Sequence, residues 1–176
     1  KTPFREWLIL ELREDYRVGD RVFPKGAVIA AKFDAFMEGE RDFDVLFEPT
    51  DTTAFAGLTP TRNHLILNVL DDVKNRLTVL TYRDGEWTRE PLEGAPAFGT
   101  VSVSAVDDEE NDDYFLTVTD YLTPTTLMMG TVGETPQPLK QLPAFFNAEG
   151  LEITQNFATS KDGTRVPYFM VARKGM

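Results

Sequence analysis

Three serines and one histidine are all that this sequence offers for a serine nucleophile and its imidazole base: Ser102, Ser104, Ser160 and His64. A serine attacks only when a base takes its proton, and histidine is the usual base. The local patterns do not favour such a pair. No G-x-S-x-G elbow occurs. Ser102 and Ser104 alternate with Val101, Val103 and Ala105, the pattern of a half-buried strand, and Ser160 stands beside a turn. His64 opens an apolar run, where a packed or edge histidine is the expected role.

Carboxylates offer a second chemistry. Asp34, Glu38, Asp71, Asp72 and Asp120 fall near expected strand ends, and two carboxyl groups at the right separation hydrolyse glycosides. With 29 acids in 176 residues, chance pairs are many, and the spacing singles out none. The run Asp107-Asp108-Glu109-Glu110-Asn111-Asp112-Asp113 invites a calcium reading. An EF-hand loop needs Gly sixth and Glu twelfth; counted from Asp107, those places hold Asp112 and Val118. The run reads instead as a solvated loop. Gly130-Thr131-Val132-Gly133 is too short for a phosphate loop. A single histidine makes no zinc cluster, and the lack of cysteine removes disulfides, thiolate ligands and thiol nucleophiles. No catalytic, cofactor-binding or metal-ligating residue is therefore assigned, and no cofactor is expected.

A net charge of -11 disfavours nucleic acid and anionic membrane surfaces as partners. No apolar run approaches the roughly 18 residues of a membrane span. No signal peptide is visible in a sequence that opens on Lys1, so the compartment stays open between cytoplasm and periplasm. Apolar residues at 41% and aromatics at 11% suit a folded chain with a buried core.

The elements that would position any site are short strands. Trp7–Leu12, Val28–Ala31, Phe43–Phe47, Thr52–Leu58, His64–Leu70, Leu77–Tyr82, Trp87–Leu92, Thr100–Val106, Tyr114–Thr119, Thr125–Val132, Gln137–Leu142 and Leu151–Thr159 read as strands, and the flanks of the last turn, Ile153–Thr159 and Val166–Val171, are rich in β-branched and aromatic residues. Asp15–Pro24 reads as a polar connection, Phe33–Met37 as one helical turn, and Thr59-Pro60 as a turn. Asp84-Gly85 and Asp162-Gly163 predict tight type I′ hairpins. Nothing sustains helical periodicity, so the fold class is all-β. Sliding the sequence by 50 positions lays His64-Leu65-Ile66 on Tyr114-Phe115-Leu116, Leu77 on Leu127 and Leu92 on Leu142. About 40–50 residues per four-stranded unit is the length of a propeller blade. The expectation is a partial β-propeller of about three blades of four-stranded antiparallel sheets, with Trp7, Trp87, Phe145 and Phe146 filling blade interfaces.

Thr159-Ser160-Lys161-Asp162-Gly163-Thr164-Arg165-Val166-Pro167 resembles the T-S-K-D-G-T-x-V-P signature of the prolyl oligopeptidase family of serine peptidases. Phe33-Asp34-Ala35-Phe36, Leu46-Phe47-Glu48-Pro49, Leu70-Asp71-Asp72-Val73 and Asp120-Tyr121-Leu122-Thr123-Pro124 are similar in style to its later blades. The resemblance implies a seven-bladed propeller capping an α/β-hydrolase domain whose nucleophile, aspartate and histidine come after the signature. None of the three maps onto this sequence, so the segment alone is expected to be inactive. It would be the substrate-gating portion of a peptidase cleaving short peptides after proline. Residues 1–158 are expected to be propeller, and 159–176 the junction hairpin and first strand of a hydrolase domain not contained in the sequence. The expected partners are that domain, a peptide substrate in the intact protein, and further copies of the chain through exposed sheet edges. The tail after Pro167 is expected to be disordered, to pair with the preceding strand or to pair with another copy. A non-enzymatic propeller binding module and a propeller glycosidase using paired carboxylates are the alternatives.

Overall fold

The computed structural model describes residues 2–175. Three four-stranded antiparallel sheets succeed one another along the chain as propeller blades, and a long hairpin comes last. Blade 1 begins with β1 (Thr2–Phe4) and β2 (Trp7–Glu11); after a small hairpin, β3 (Tyr16–Val18) and β4 (Arg21–Phe23), it resumes with β5 (Val28–Lys32). The short helix α1 (Phe33–Met37) leads to β6 (Asp44–Phe47), and the sheet order is β1-β2-β5-β6. Blade 2 is a plain meander of β7 (Thr53–Pro60), β8 (Leu65–Asp71), β9 (Lys74–Arg83) and β10 (Glu86–Pro91). Blade 3 repeats it with β11 (Thr100–Ala105), β12 (Asp113–Thr119), β13 (Thr126–Thr131) and β14 (Gln137–Gln141). The 50-residue repeat is thereby explained: it lays β8 on β12 and β9 on β13, the second and third strands of successive blades. Among the described residues no helix is long and apolar enough to cross a membrane.

Blade 2 is buried on both faces, which is why β8 reads as an uninterrupted apolar run. Side chains alternate across a strand. Leu65, Leu67 and Leu80 accordingly join Phe4, Trp7, Ile9, Val28 and Leu46 of blade 1 in one core. Ile66, Leu77 and Val79, on the opposite face, join Val101, Tyr114, Leu116 and Val118 of blade 3 in another. A third core, Phe23, Ile29, Ala31 and Phe43, lies inside blade 1 under the β3–β4 hairpin.

Four local expectations are corrected. Asp15–Pro24 is not merely a connection: it folds as β3 and β4 because Phe23 has the blade 1 core to enter, with Tyr16 and Val18 packed at its margin. Thr59-Pro60 is not a turn. β7 runs through Pro60, which pairs with Leu65 at the end of an edge strand, a position that needs no ladder N–H. Asp84-Gly85 does close a two-residue loop with both φ angles positive, 54° and 93°. Asp162-Gly163 does not. Ser160 N–H donates to Thr164 O at 2.9 Å, and Gly163 N–H to Ser160 O at 3.0 Å, so the loop is Lys161-Asp162-Gly163. That is a type I turn with Gly163 at φ 86° as its bulge residue. The Asp162 carboxylate decides it by accepting from the Ser160 hydroxyl and the Thr164 N–H. These bonds lower its pKa to about 2. Lastly, Trp7 and Trp87 do sit between blades, 5.1 Å apart, whereas Phe145 and Phe146 are 84% and 55% exposed in the segment after β14.

The hairpin comprises β15 (Leu151–Thr159) and β16 (Arg165–Arg173), paired over their full lengths from Leu151↔Arg173 to Thr159↔Arg165. Of the three expectations for the tail after Pro167, pairing with the preceding strand is the one realised. β15 joins no blade; the two strands are a sheet of their own.

Candidate functional site

The groups that sequence alone placed in reach of chemistry are dispersed. Ser102 and Ser104 lie on β11 opposite Thr117 and Phe115, with exposed side chains. Ser160 closes the hairpin loop by pairing with Thr164. Asp34 is on α1 and Glu38 caps its end. Asp71 ends β8, 3.7 Å from Arg76, and Asp72 occupies the adjoining turn. Asp120 accepts from the N–H groups of Leu122 and Thr123 and so holds the loop after β12. These five carboxylates are spread over three blades. Among the described residues no three acidic or histidine side chains gather as a metal site.

One place does assemble a hydroxyl, an imidazole and a carboxylate, and it lies on the seam between blades 2 and 3. His64 Nδ1 is 2.7 Å from Thr81 Oγ1, and its Nε2 is 3.9 Å from Asp112 Oδ2. A triad carboxylate must hydrogen-bond the imidazole it orients, and 3.9 Å is beyond that reach. Asp112 is committed elsewhere. It accepts from Thr61 Oγ1 at 2.8 Å, Asn63 N–H at 2.7 Å and Asn63 Nδ2 at 2.6 Å. Burial pushes its pKa up, but the bonds from Asn63 and Thr61 prevail and hold it below the usual value. Burial also lowers the pKa of His64, against the pull of Asp112. The cluster is a weld between blades. The acidic run is thus solvated only in part: Asp107 caps its own loop, while Asp112 docks on blade 2 and Asp113 accepts from Thr131. Its role depends on which turn of blade 2 it meets, and nothing local in the sequence tells that.

More bonds run along the same seam. Thr59 Oγ1 donates to Val103 O at 3.0 Å, Arg62 Nη1 to Glu110 O at 3.0 Å and Asn75 Nδ2 to Gly99 O at 3.1 Å. Between blades 1 and 2, Arg89 donates to Leu46 O at 2.7 Å and Val45 O at 3.0 Å, beside the ring cluster of Phe4, Trp7, Tyr82 and Trp87. A cleft of about 250 Å³ opens there, lined in part by Trp7, Lys32, Asp42, Asp44 and Tyr82. Its aromatic wall already carries a cation, Lys32. Its Nζ lies 4.1 Å from the Trp7 ring centre and 2.8 Å from Glu6 Oε1. The hydrogen bond from Lys32 in turn keeps the Glu6 pKa low.

Two further clefts face the hairpin end of the molecule. One, of about 300 Å³, is lined by Val73, Thr100, Asp120, Tyr121 and Phe169 among others. The other, of about 170 Å³, is bounded in part by Leu122, Pro124, Leu142, Phe145 and Phe146. On β16, Val166, Tyr168 and Met170 share one side of the strand and are 45%, 48% and 45% exposed. Apolar surface is therefore concentrated where the blades end.

Comparison with known proteins agrees with this architecture. The family described as prolyl oligopeptidase, N-terminal beta-propeller domain, matches residues 16–137, from β3 to the start of β14. An uncharacterized peptidase of Sinorhizobium fredii is 37% identical over 157 residues, 87% of this chain and 21% of its own length. An uncharacterized peptidase of Rickettsia prowazekii is 25% identical over 177 aligned residues, 98% of this chain and 24% of its own. The chain thus spans about a quarter or less of these relatives. The same fold occurs in a post-proline cleaving enzyme from Rickettsia typhi, with a TM-score of 0.76 and 22% identity over 99% of this chain and 26% of that one.

Proposed function

Because the chain belongs to the prolyl oligopeptidase family, through that family's N-terminal β-propeller domain, we propose that it is the substrate-gating wall of a serine peptidase that cleaves short peptides after proline. One observation carries this reading: welded blades lead within the same chain into the Thr159–Pro167 signature hairpin. A wall of this kind excludes bulky substrates only if it stays rigid. Cores on both faces of blade 2, with side-chain bonds across both seams, supply that rigidity.

On this reading β15 and β16 both belong with the catalytic domain, and the domain boundary lies between Leu142 and Leu151 rather than at 158. Support comes from β15 pairing with β16 alone, and from the family match ending at residue 137. The apolar side of β16 then meets the body of that domain. In the isolated chain a second copy is the expected cover, through this face or through open sheet edges.

The test is cleavage by the longer protein that carries this segment. Peptides of graded length with one proline should be cut after that residue, with rates falling as length grows. Ser102→Ala, Ser104→Ala and Ser160→Ala should leave the rate unchanged. Loss of activity in one of these folded variants, or equal cutting of folded proteins, would overturn the reading.

A further inference from the structure

Gln155 and Phe169 are cross-strand partners at the middle of the hairpin. Both reach toward the blades, to different ones. Gln155 Nε2 donates to Asp72 O at 2.7 Å, on the β8–β9 turn of blade 2. The Phe169 ring stands 5.6 Å from Phe98 and 5.7 Å from Tyr121, which flank β11 and β12 of blade 3. Among the described residues, the Gln155 bond is the only hydrogen bond tying the hairpin to a blade.

The receiving surface is built with care. Asp72 and Val73 form a two-residue turn with φ angles of 45° and 62°, and Val73 is a β-branched residue in the left-handed region. Such strain persists where surroundings over-determine the backbone. Asn75, just past that turn, bonds Gly99 O and so fixes the turn to the segment that carries Phe98. Gly99 sits at φ 131°, and a Cβ there would lie 2.1 Å from Thr119 O, so the chain beside Phe98 has no room for a side chain. Lys74 Nζ lies 4.9 Å from the Phe98 ring centre. Turn, Phe98 and Tyr121 thus form one rigid socket across the seam between blades 2 and 3.

We propose that the Gln155–Phe169 pair is the pivot by which the hairpin, and with it the catalytic domain, is held to the propeller. The consequence for the peptidase rests on the proposed function; the pivot does not. A hairpin of two strands is marginal on its own. Once the pivot is removed, its amides should open while the blades remain closed.

The test is hydrogen–deuterium exchange on the full chain and on two single variants. Phe169→Ala removes the ring, and Gln155→Met keeps length and bulk but deletes the donor. Each should speed exchange in residues 151–173 by about tenfold or more, with β8 and β12 amides unchanged. Unchanged hairpin exchange in both variants would overturn the pivot. So would an equal rise in the blades, because the pair would then be part of the general core. Exchange needs no substrate, so a failed cleavage assay and a failed pivot are separate results.

Discussion

The seam between blades 2 and 3 and the joint between blades and hairpin both use polar side chains to bridge separate sheets, but they are built differently. The seam has a continuous apolar core, from Ile66 and Val79 to Tyr114 and Leu116, with several bonds along its length. The joint has one hydrogen bond from a side-chain amide and one ring seated between two others. The blades are joined to one another over an area; the hairpin is joined to them at few points.

Five substitutions should break or sharpen this contrast. The largest effect is expected from Leu65→Ala, at a fully buried position between blades 1 and 2. It should cost about 3 kcal/mol in urea unfolding through lost burial and a cavity. Asp112→Ala comes next. It strips Thr61 and Asn63 of their acceptor across the other seam and should cost about 2 kcal/mol by the same measurement. Its pH signature is separable. Asp112 and His64 both bind protons more weakly in the folded chain than at their ordinary values of 3.8 and 6.5. Their contribution is present above those values and is lost as pH falls through the folded ones. Wild-type stability should therefore fall below about pH 6.5, and again in the carboxylate range. His64→Gln should flatten the first decline and Asp112→Ala the second.

Val73→Gly has the opposite sign. It relieves a left-handed valine at a 47% exposed position and should raise stability by about 1 kcal/mol, read as a higher melting temperature. An unchanged or lower midpoint would mean that the Val73 side chain packs against the socket more than its exposure suggests. Smallest in stability is Tyr168→Ser on the open side of β16, expected within about 0.5 kcal/mol. Its readout is association. Light scattering of the isolated chain should show self-association that weakens in the variant, and a clean monomer at high concentration would contradict the proposed cover.

Much of the blade architecture was legible because it stems from periodicity. Leu65-Ile66-Leu67 announces a strand buried on both sides, and the 50-residue shift finds its counterpart in blade 3. Phe33–Met37 was readable as a single helical turn, though it is too short to show a period. What escaped depends on distant partners. Tyr16–Phe23 looks polar, and only the core above Ile29 and Phe43 makes it a hairpin. Val73 contradicts turn preference, so no turn rule points to it. Asp112 looks like any acid in its run until Asn63 and Thr61 are placed opposite it. Phe145 and Phe146 look like core and are surface. Gln155 and Phe169 look like ordinary strand residues, and only the register between β15 and β16 makes them a pair.

The most direct test of the contrast is residue-resolved hydrogen exchange of the chain across sub-denaturing urea. The three blades should open together as one unit at the highest free energy, with β15 and β16 opening earlier as a second unit. A single opening shared by blades and hairpin would contradict the account.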